Sequence, residues 1–304
     1  QNYVSAFYQS NKDVIWQNVP EEMKEALERE ISFLLAPKAF LTLASDYAIK
    51  FKQAPRDVNF NKCIYNAYEL TLRKNCVSAI FEGSQGLLID GTYGIKPNTT
   101  FLDTTNHFAL DISYYRDNIT KVGIAKAFNS RHGLGIFPTE SSYLSRNISD
   151  DNQEESFWNG KIRFGWFDAV LFRYAQNINQ VDELYLSSLD KLDGFETIKV
   201  CNEYLYNGIV DERFDELFTY STSPDGKITI TDIKGSGEDL GKYLERCVPI
   251  YLYVRGWKSD ISNISDKLQL PEKCLNYILL LEELTKLPIT VVSVGPTRNN
   301  KIRM

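Results

Sequence analysis

Leu184-Tyr185-Leu186-Ser187-Ser188-Leu189-Asp190-Lys191-Leu192-Asp193-Gly194 joins a short apolar run to a loop that carries two carboxylates and ends in glycine. Leu184 to Leu189 predicts a strand, because a short apolar run bounded by turn residues suits the interior of a sheet. Asp190 then falls at the carboxyl end of that strand, where open α/β sheets bind ligands. A carboxylate there can accept from guanine N1–H and from the 2-amino group, a donor pair that adenine lacks. The simpler reading of these residues alone is that Asp190 caps a turn.

Upstream, Trp166 to Ile178 places Phe167, Val170, Leu171, Tyr174, Ala175 and Ile178 on one helical face. Val122 to Phe128 predicts another strand, followed by loop residues Gly133, Gly135 and Pro138. Pro20 to Leu35, Ala39 to Phe51 and Asn61 to Arg73 read as helices, and Val77 to Phe81 as a short strand before the glycine-rich Glu82-Gly83-Ser84-Gln85-Gly86. Asp150 to Glu155 reads as a solvated acidic loop. Downstream, Ile198 to Tyr206 and Lys227 to Ile233 predict antiparallel strands, with Pro224-Asp225-Gly226 as a turn before the second. Pro271 to Thr285 predicts a helix and Pro288 to Val294 a strand ending at Gly295-Pro296. This order predicts an α/β fold: a central, mostly parallel sheet flanked by helices, with an antiparallel strand subregion. No linker divides the chain, so residues 1–304 are expected to form a single domain.

The composition is that of a globular protein, 43% hydrophobic and 24% charged, with net charge −6. An acidic balance disfavours nucleic-acid and membrane-surface binding, which need a basic face. No apolar run approaches the roughly 18 residues that span a bilayer. Cys63, Cys76, Cys201, Cys247 and Cys274 are odd in number and widely spaced. They predict a reducing, cytoplasmic compartment rather than a disulfide framework or a zinc site. His107 and His132 are the only histidines, so no histidine-rich metal site is expected. The first residue is Gln1, which reads as the start of a processed or partial version of a longer chain.

Gly235-Ser236-Gly237-Glu238-Asp239-Leu240-Gly241-Lys242-Tyr243 is the nearest stretch to a phosphate loop. Its glycine spacing is wrong, its carboxylates would repel phosphate, and a tyrosine replaces the magnesium-binding hydroxyl. It reads as a turn leading into a helix. Gln85 and Thr100 could hold a nucleotide, although turn residues of these types are common. Arg131 and Arg163 could pair with phosphate or carboxylate; taken singly, each reads as a surface or ion-pair arginine.

Several segments together resemble the adenylosuccinate synthetase family. Phe81-Glu82-Gly83-Ser84-Gln85-Gly86 is similar to its F-E-G-A-Q-G, and the following residues to Thr105 are similar to L-L-D…G-T-Y-P…N-T-T. Ser130 to Glu140 resembles R-V-G-x-G-P-F-P-T-E, Gly165 to Val170 resembles G-W-x-D-x-V, and Ser187 to Gly194 resembles T-K-L-D-x-L-D-G. Pro249 to Trp257 and Leu270 to Arg298 resemble the family's later motifs. The matches keep the family order across roughly residues 80 to 300.

The resemblance implies a GTP-dependent purine-nucleotide ligase that uses Mg2+ and joins aspartate to IMP, in a homodimer. Carried over by position, Gln85, Thr100 and Arg131 would contact the IMP-type nucleotide. Ser188, Leu189, Asp190, Ser293, Val294 and Gly295 would hold guanine, and Lys161 and Arg163 the co-substrate. There are departures. Nothing here matches the opening G-x-Q-W-G-D-E-G-K-G, which is expected to lie upstream of Gln1 in an active ligase. Ser5 stands where the family has its catalytic histidine. The segment T-T-G-R-G-I-G-P is absent, and the stretch between Asp46 and Phe81 is shortened. The arginine run T-T-G-R-R-R-R is reduced to Asn159-Gly160-Lys161-Ile162-Arg163, and the lysine before the guanine-binding aspartate is Ser188. The catalytic residues are therefore left unassigned. The alternative to a ligase is a catalytically inactive nucleotide-binding or regulatory protein on the same fold.

Overall fold

Three short apolar runs pair in parallel and set the frame of the molecule. The computed structural model describes Lys24 and residues 80–107, 119–148 and 160–304. In it β1 (Val122–Lys126), β5 (Glu183–Ser187) and β10 (Ile289–Ser293) lie side by side, with β5 in the middle. β11 (Lys301–Arg303) adds an antiparallel edge to β10. All these elements belong to the compact unit Ser78–Met304. The helices expected before Arg73, the start of the strand at Val77 and the acidic run Asp150–Glu155 lie outside the described residues.

The central position of β5 explains its composition. Leu184 and Leu186 are buried on one face, and Val292 beside them on β10 is also buried. The strand ends at Ser187, two residues short of the sequence expectation. Ser188 takes a left-handed conformation (φ 60°), and Leu189–Leu192 winds into a 3-10 turn. Leu189 is fully buried all the same, which is why its apolar character looked like strand.

Helix α5 (Glu272–Thr285) covers this sheet with Cys274, Tyr277, Ile278 and Leu281, the i, i+3, i+4, i+7 stripe of a core-facing helix. The Tyr277 hydroxyl donates to the Ala127 carbonyl at 2.6 Å and fixes the helix to the end of β1. Helix α2 (Ala169–Asn179) starts three residues later than its apolar spacing suggested. Phe167–Asp168 is instead a short strand, β4, paired in parallel with β6 (Thr197–Tyr206). The Asp168 carboxylate then accepts from the Leu171 amide and caps the helix.

The antiparallel subregion is a five-stranded sheet. β8 (Ile228–Ile233) pairs with β6 as expected, through Tyr204↔Ile230 and its neighbours. β7 (Phe218–Thr222) and β9 (Cys247–Arg255) complete it, the latter running along β6 on its other side. β9 escapes a strand pattern because Pro249 interrupts it. A small hairpin of β2 (Asn129–Arg131) and β3 (Arg163–Gly165), with α1 (Ser142–Asn147) between them, follows β1. Helices α3 (Glu212–Leu217) and α4 (Leu240–Leu244) flank the antiparallel sheet. Two buried clusters result, one under the parallel strands and one beneath the antiparallel sheet, and α2 contributes Ala169 to the first and Val170, Leu171 and Tyr174 to the second. Among the described residues, no helix is long and apolar enough to cross a membrane.

Asp168 sits where the clusters meet. It is buried, and it accepts from Tyr204 at 2.6 Å as well as from Leu171. Burial pushes its carboxyl up to about 6, against the opposing effect of donors from Tyr204, Leu171 and Val170 and of the Arg173 charge. The folded state therefore holds this proton more tightly than the unfolded chain does. The stabilisation is fully present below about pH 4 and is lost as the pH rises toward 6, a change on the order of 3 kcal/mol. Asp168→Asn, which keeps an oxygen for the helix cap, is expected to remove that fall. Thermal melts of both proteins from pH 4 to about 7 check it; parallel profiles would refute the assignment.

Candidate functional site

The loop from Gly86 to Thr105 is tied around one carboxylate. Asp90 is buried and accepts from the Thr92 and Tyr93 amides at 2.7 and 2.8 Å, and from the Thr104 amide and hydroxyl at 2.7 and 3.1 Å. Burial alone would raise its pKa, but the four donors outweigh it and hold the carboxyl below the usual carboxylate range. The Thr100 amide donates to the Ile89 carbonyl at 2.7 Å, and the Tyr174 hydroxyl on α2 donates to the Tyr93 carbonyl. Thr100 is thereby held at a partly exposed position, while Gln85 is exposed in the bend just before the 3-10 turn Leu87–Ile89.

The glycine-rich stretch at Gly235 supports this loop from below and forms no phosphate cradle. It is a turn into α4, with Asp239 paired to Arg213 at 3.1 Å. At Gly241 a Cβ would lie 2.6 Å from the Lys96 carbonyl, so only glycine permits α4 to approach this closely.

Arg131 and Arg163 come together. They are directly opposite in the β2–β3 pairing, which puts both side chains on one face. Arg131 donates from Nε to the Leu134 carbonyl and from Nη2 to the Asn98 carbonyl, each at 3.0 Å. The second bond links it to the Thr100 loop. Its Nη1 has no partner among the described residues. Burial, and then the Arg163 charge, push its pKa down. Arg163 is more fully engaged: it donates to the Gly133 and Gly135 carbonyls, pairs with Glu140 at 2.7 Å and lies over the Phe137 ring. Gly135 has φ +119°, and a Cβ there would sit 2.2 Å from Arg131 Nη2. The loop can close on the arginine only through glycine. Thr139, at the base of this loop, is buried with its hydroxyl unpartnered. Lys161 is exposed two residues before Arg163.

The second group of residues lies at the carboxyl ends of β5 and β10. Leu189 and Val294 are fully buried, so each offers only its backbone. Asp193 closes the 189–192 turn through its amide, which donates to the Asp190 carbonyl at 3.1 Å, and its carboxylate accepts from Trp257 Nε1 at 2.5 Å and from the Ile261 amide at 3.0 Å. The Asp190 carboxylate receives nothing from any other described residue. Burial raises its pKa and Asp260 adds to this, while its own amide, Lys191 and Lys301 oppose them. Across from it, the Ser293 hydroxyl donates to the Gly295 carbonyl at 2.8 Å. Asn300 holds this loop in place: its carbonyl accepts from the Val294 amide at 2.9 Å, and its side chain donates to the Ser262 carbonyl at 2.9 Å.

Of the residues singled out in the sequence, Thr100 and Arg131 are thus linked through the 98–100 loop, and the Ser188–Asp190 and Ser293–Gly295 groups through the packing of β10 on the 189–192 turn. Asn98, Glu140, Asn300 and Lys301 are contributors that sequence reading missed. No local pattern could reveal them, since each meets its partner across a loop or a strand pair. Among the described residues no three His, Cys, Asp or Glu side chains converge as a metal site.

Comparison with known proteins gives a consistent result. A family model described as adenylosuccinate synthetase matches residues 16–302. The chain is 34% identical over 229 residues to the adenylosuccinate synthetase of Geobacter sp. (strain M21), covering 74% of this chain and 48% of that one. It is 33% identical over 276 residues to the organellar chromatophore adenylosuccinate synthetase of Paulinella chromatophora, covering 89% and 56%. Its fold matches that of the fully ligated adenylosuccinate synthetase from Plasmodium falciparum with a TM-score of 0.67 at 24% identity, over 93% of this chain and 63% of that one. The chain spans about half the length of the curated relatives it matches.

The Asp90 knot generates a direct test. Asp90→Asn replaces one acceptor oxygen with an amide facing the Thr104 donors, and is expected to cost about 1–3 kcal/mol of stability. Hydrogen exchange should speed up at the Thr92, Tyr93 and Thr104 amides while the amides of β5 stay protected. Unchanged exchange at those three positions would show that the carboxylate does not hold the loop.

Proposed function

The chain belongs to the adenylosuccinate synthetase family, and from that membership we propose that it is a GTP-dependent purine-nucleotide ligase. The reaction would join aspartate, or a related amine donor, to the 6-position of IMP or a related purine nucleotide. In the first step the GTP γ-phosphoryl passes to the 6-oxygen, breaking its bond to GDP. In the second the amine forms a bond to C6 as the C6–O bond breaks and phosphate leaves. Gln85, Thr100 and Arg131 are proposed to hold the acceptor nucleotide, with Arg131 Nη1 directed at its phosphate. Lys161 and Arg163 are the proposed contacts for the co-substrate carboxylates. Assembly as a homodimer is part of the same proposal.

The observation that carries this reading is Asp190. A half-buried carboxylate with no donor from another described residue can take donors from a ligand. Guanine supplies them as N1–H and the 2-amino group, beside the Ser293–Gly295 loop. Mg2+ would supply charge neutralisation between the phosphates. No described group of three ligands fits it, so none of these residues is assigned to it.

One observation favours a second reading, a purine-nucleotide-binding or regulatory protein without activity. Arg163 is already occupied by two loop carbonyls and Glu140, which leaves little of its guanidinium for a co-substrate. Phosphate release with IMP, GTP, Mg2+ and aspartate, then with other purine nucleotides and amine donors, separates the two. Release in any combination supports the ligase, and none in all of them supports the binding protein.

The base pocket has its own test. ITP lacks the 2-amino group, so the wild-type protein should bind GTP more tightly than ITP. Asp190→Asn should weaken GTP by roughly 10- to 100-fold, the worth of charge-assisted bonds, and should narrow the difference from ITP. Titration calorimetry with both nucleotides measures this. Unchanged GTP affinity would remove Asp190 from the site.

A further inference from the structure

Position 188, near Asp190, carries an uncharged serine, and besides Lys191 a second cation acts on the pocket from elsewhere in the chain. Lys301 stands directly opposite Ser293 in the β10–β11 pairing, on the same face of the sheet. Its ammonium donates to Ser293 Oγ at 3.2 Å and to the Thr297 carbonyl at 3.1 Å. Because Ser293 Oγ receives that donor, its own proton is directed to the Gly295 carbonyl. Lys301 thereby fixes the rotamer of Ser293 and, together with Asn300, the shape of the 293–297 loop. We propose that Lys301 is the residue that positions the base pocket for guanine, by locking Ser293 and Thr297 and by adding positive charge near the Asp190 carboxylate. This inference rests on the proposed guanine-binding role of Asp190.

The charge matters because of what surrounds Asp190. Asp260 from the 256–264 loop and Asp193 from the same turn are negative neighbours, and Lys191 and Lys301 are the cations. Guanine N1–H and N2–H need an ionised acceptor. A protonated Asp190 would point an O–H at a donor. Lys301 works against burial and against Asp260, so its removal should raise the pH below which guanine is no longer recognised.

The test uses the full chain, with GTP and ITP affinities measured by calorimetry from about pH 5 to 8 for the wild type, Lys301→Met and Lys301→Arg, and with thermal melts to verify folding. Lys301→Met should weaken GTP roughly tenfold, weaken ITP less, and move the acid limb of the GTP preference to higher pH. Lys301→Arg should restore most of the preference. If Lys301→Met leaves the GTP-to-ITP ratio and its pH limb unchanged, or weakens both nucleotides equally, the proposal fails. A wild-type protein that itself shows no preference for GTP over ITP would overturn the guanine reading of Asp190, and this inference with it. A selective wild type with an indifferent Lys301→Met would overturn this inference alone.

Discussion

The parallel pairing of β5 between β1 and β10 is the constraint on which the rest depends. Parallel strands all end at the same edge of a sheet, so the loops that follow them are brought together whatever their sequence separation. The Ala127 amide donates to the Ser187 carbonyl at 2.8 Å, which aligns the end of β1 with the end of β5. Leu184 and Leu186 must face the core, and a slip of one residue would turn them outward. The register that buries them is therefore the register that places Ser188 and Asp190 beyond the strand end. Core packing and the position of the Asp190 turn are fixed by one choice.

Much of this was readable in the sequence. β5, β6, β8, β10 and helices α2 and α5 follow from apolar runs and helical spacing, because their burial leaves a trace in the sequence; β1 follows from its apolar run alone, since none of its five residues is buried. The elements that were missed have weaker signals for stated reasons. β9 holds a proline and is half-exposed along most of its length. β2, β3 and β4 are three, three and two residues long, too short to show a period. At the candidate site, Asp190 could be singled out because it follows a predicted strand, although the same residues also read as a turn cap. Lys301 could not, since nothing near residue 301 indicates that it faces Ser293. Asp193 shows the limit of local reading: it stands three residues from Asp190 in a similar setting, yet only the Trp257 and Ile261 donors mark it as the structural one.

The antiparallel sheet has a different task. Through β9 it sends the 256–264 loop to the 189–193 turn, where Trp257 Nε1 and the Ile261 amide donate to Asp193. It buries α2 along Val170, Leu171 and Tyr174, and Tyr174 in turn grips the Tyr93 carbonyl. The Asp90 loop is thus anchored through a helix whose own start is capped by Asp168, the carboxylate at the junction of both cores. A change at that junction can reach Thr100 without touching any residue near it.

The two arginines pose the sharpest physical question at this site. Placed opposite each other on paired strands, they repel, and partial burial strengthens the repulsion by removing water. The carbonyls of Asn98, Gly133, Leu134 and Gly135 and the Glu140 carboxylate offset that cost. They do so unequally. Glu140 gives Arg163 a full counter-charge, whereas among the described residues Arg131 has only carbonyl dipoles and keeps Nη1 open. The uncompensated charge therefore belongs to Arg131, and an anion bound there would relieve the repulsion as well as form new bonds. That asymmetry makes Arg131 the member of the pair suited to a phosphate, and Arg163 the member that holds the loop in shape around it.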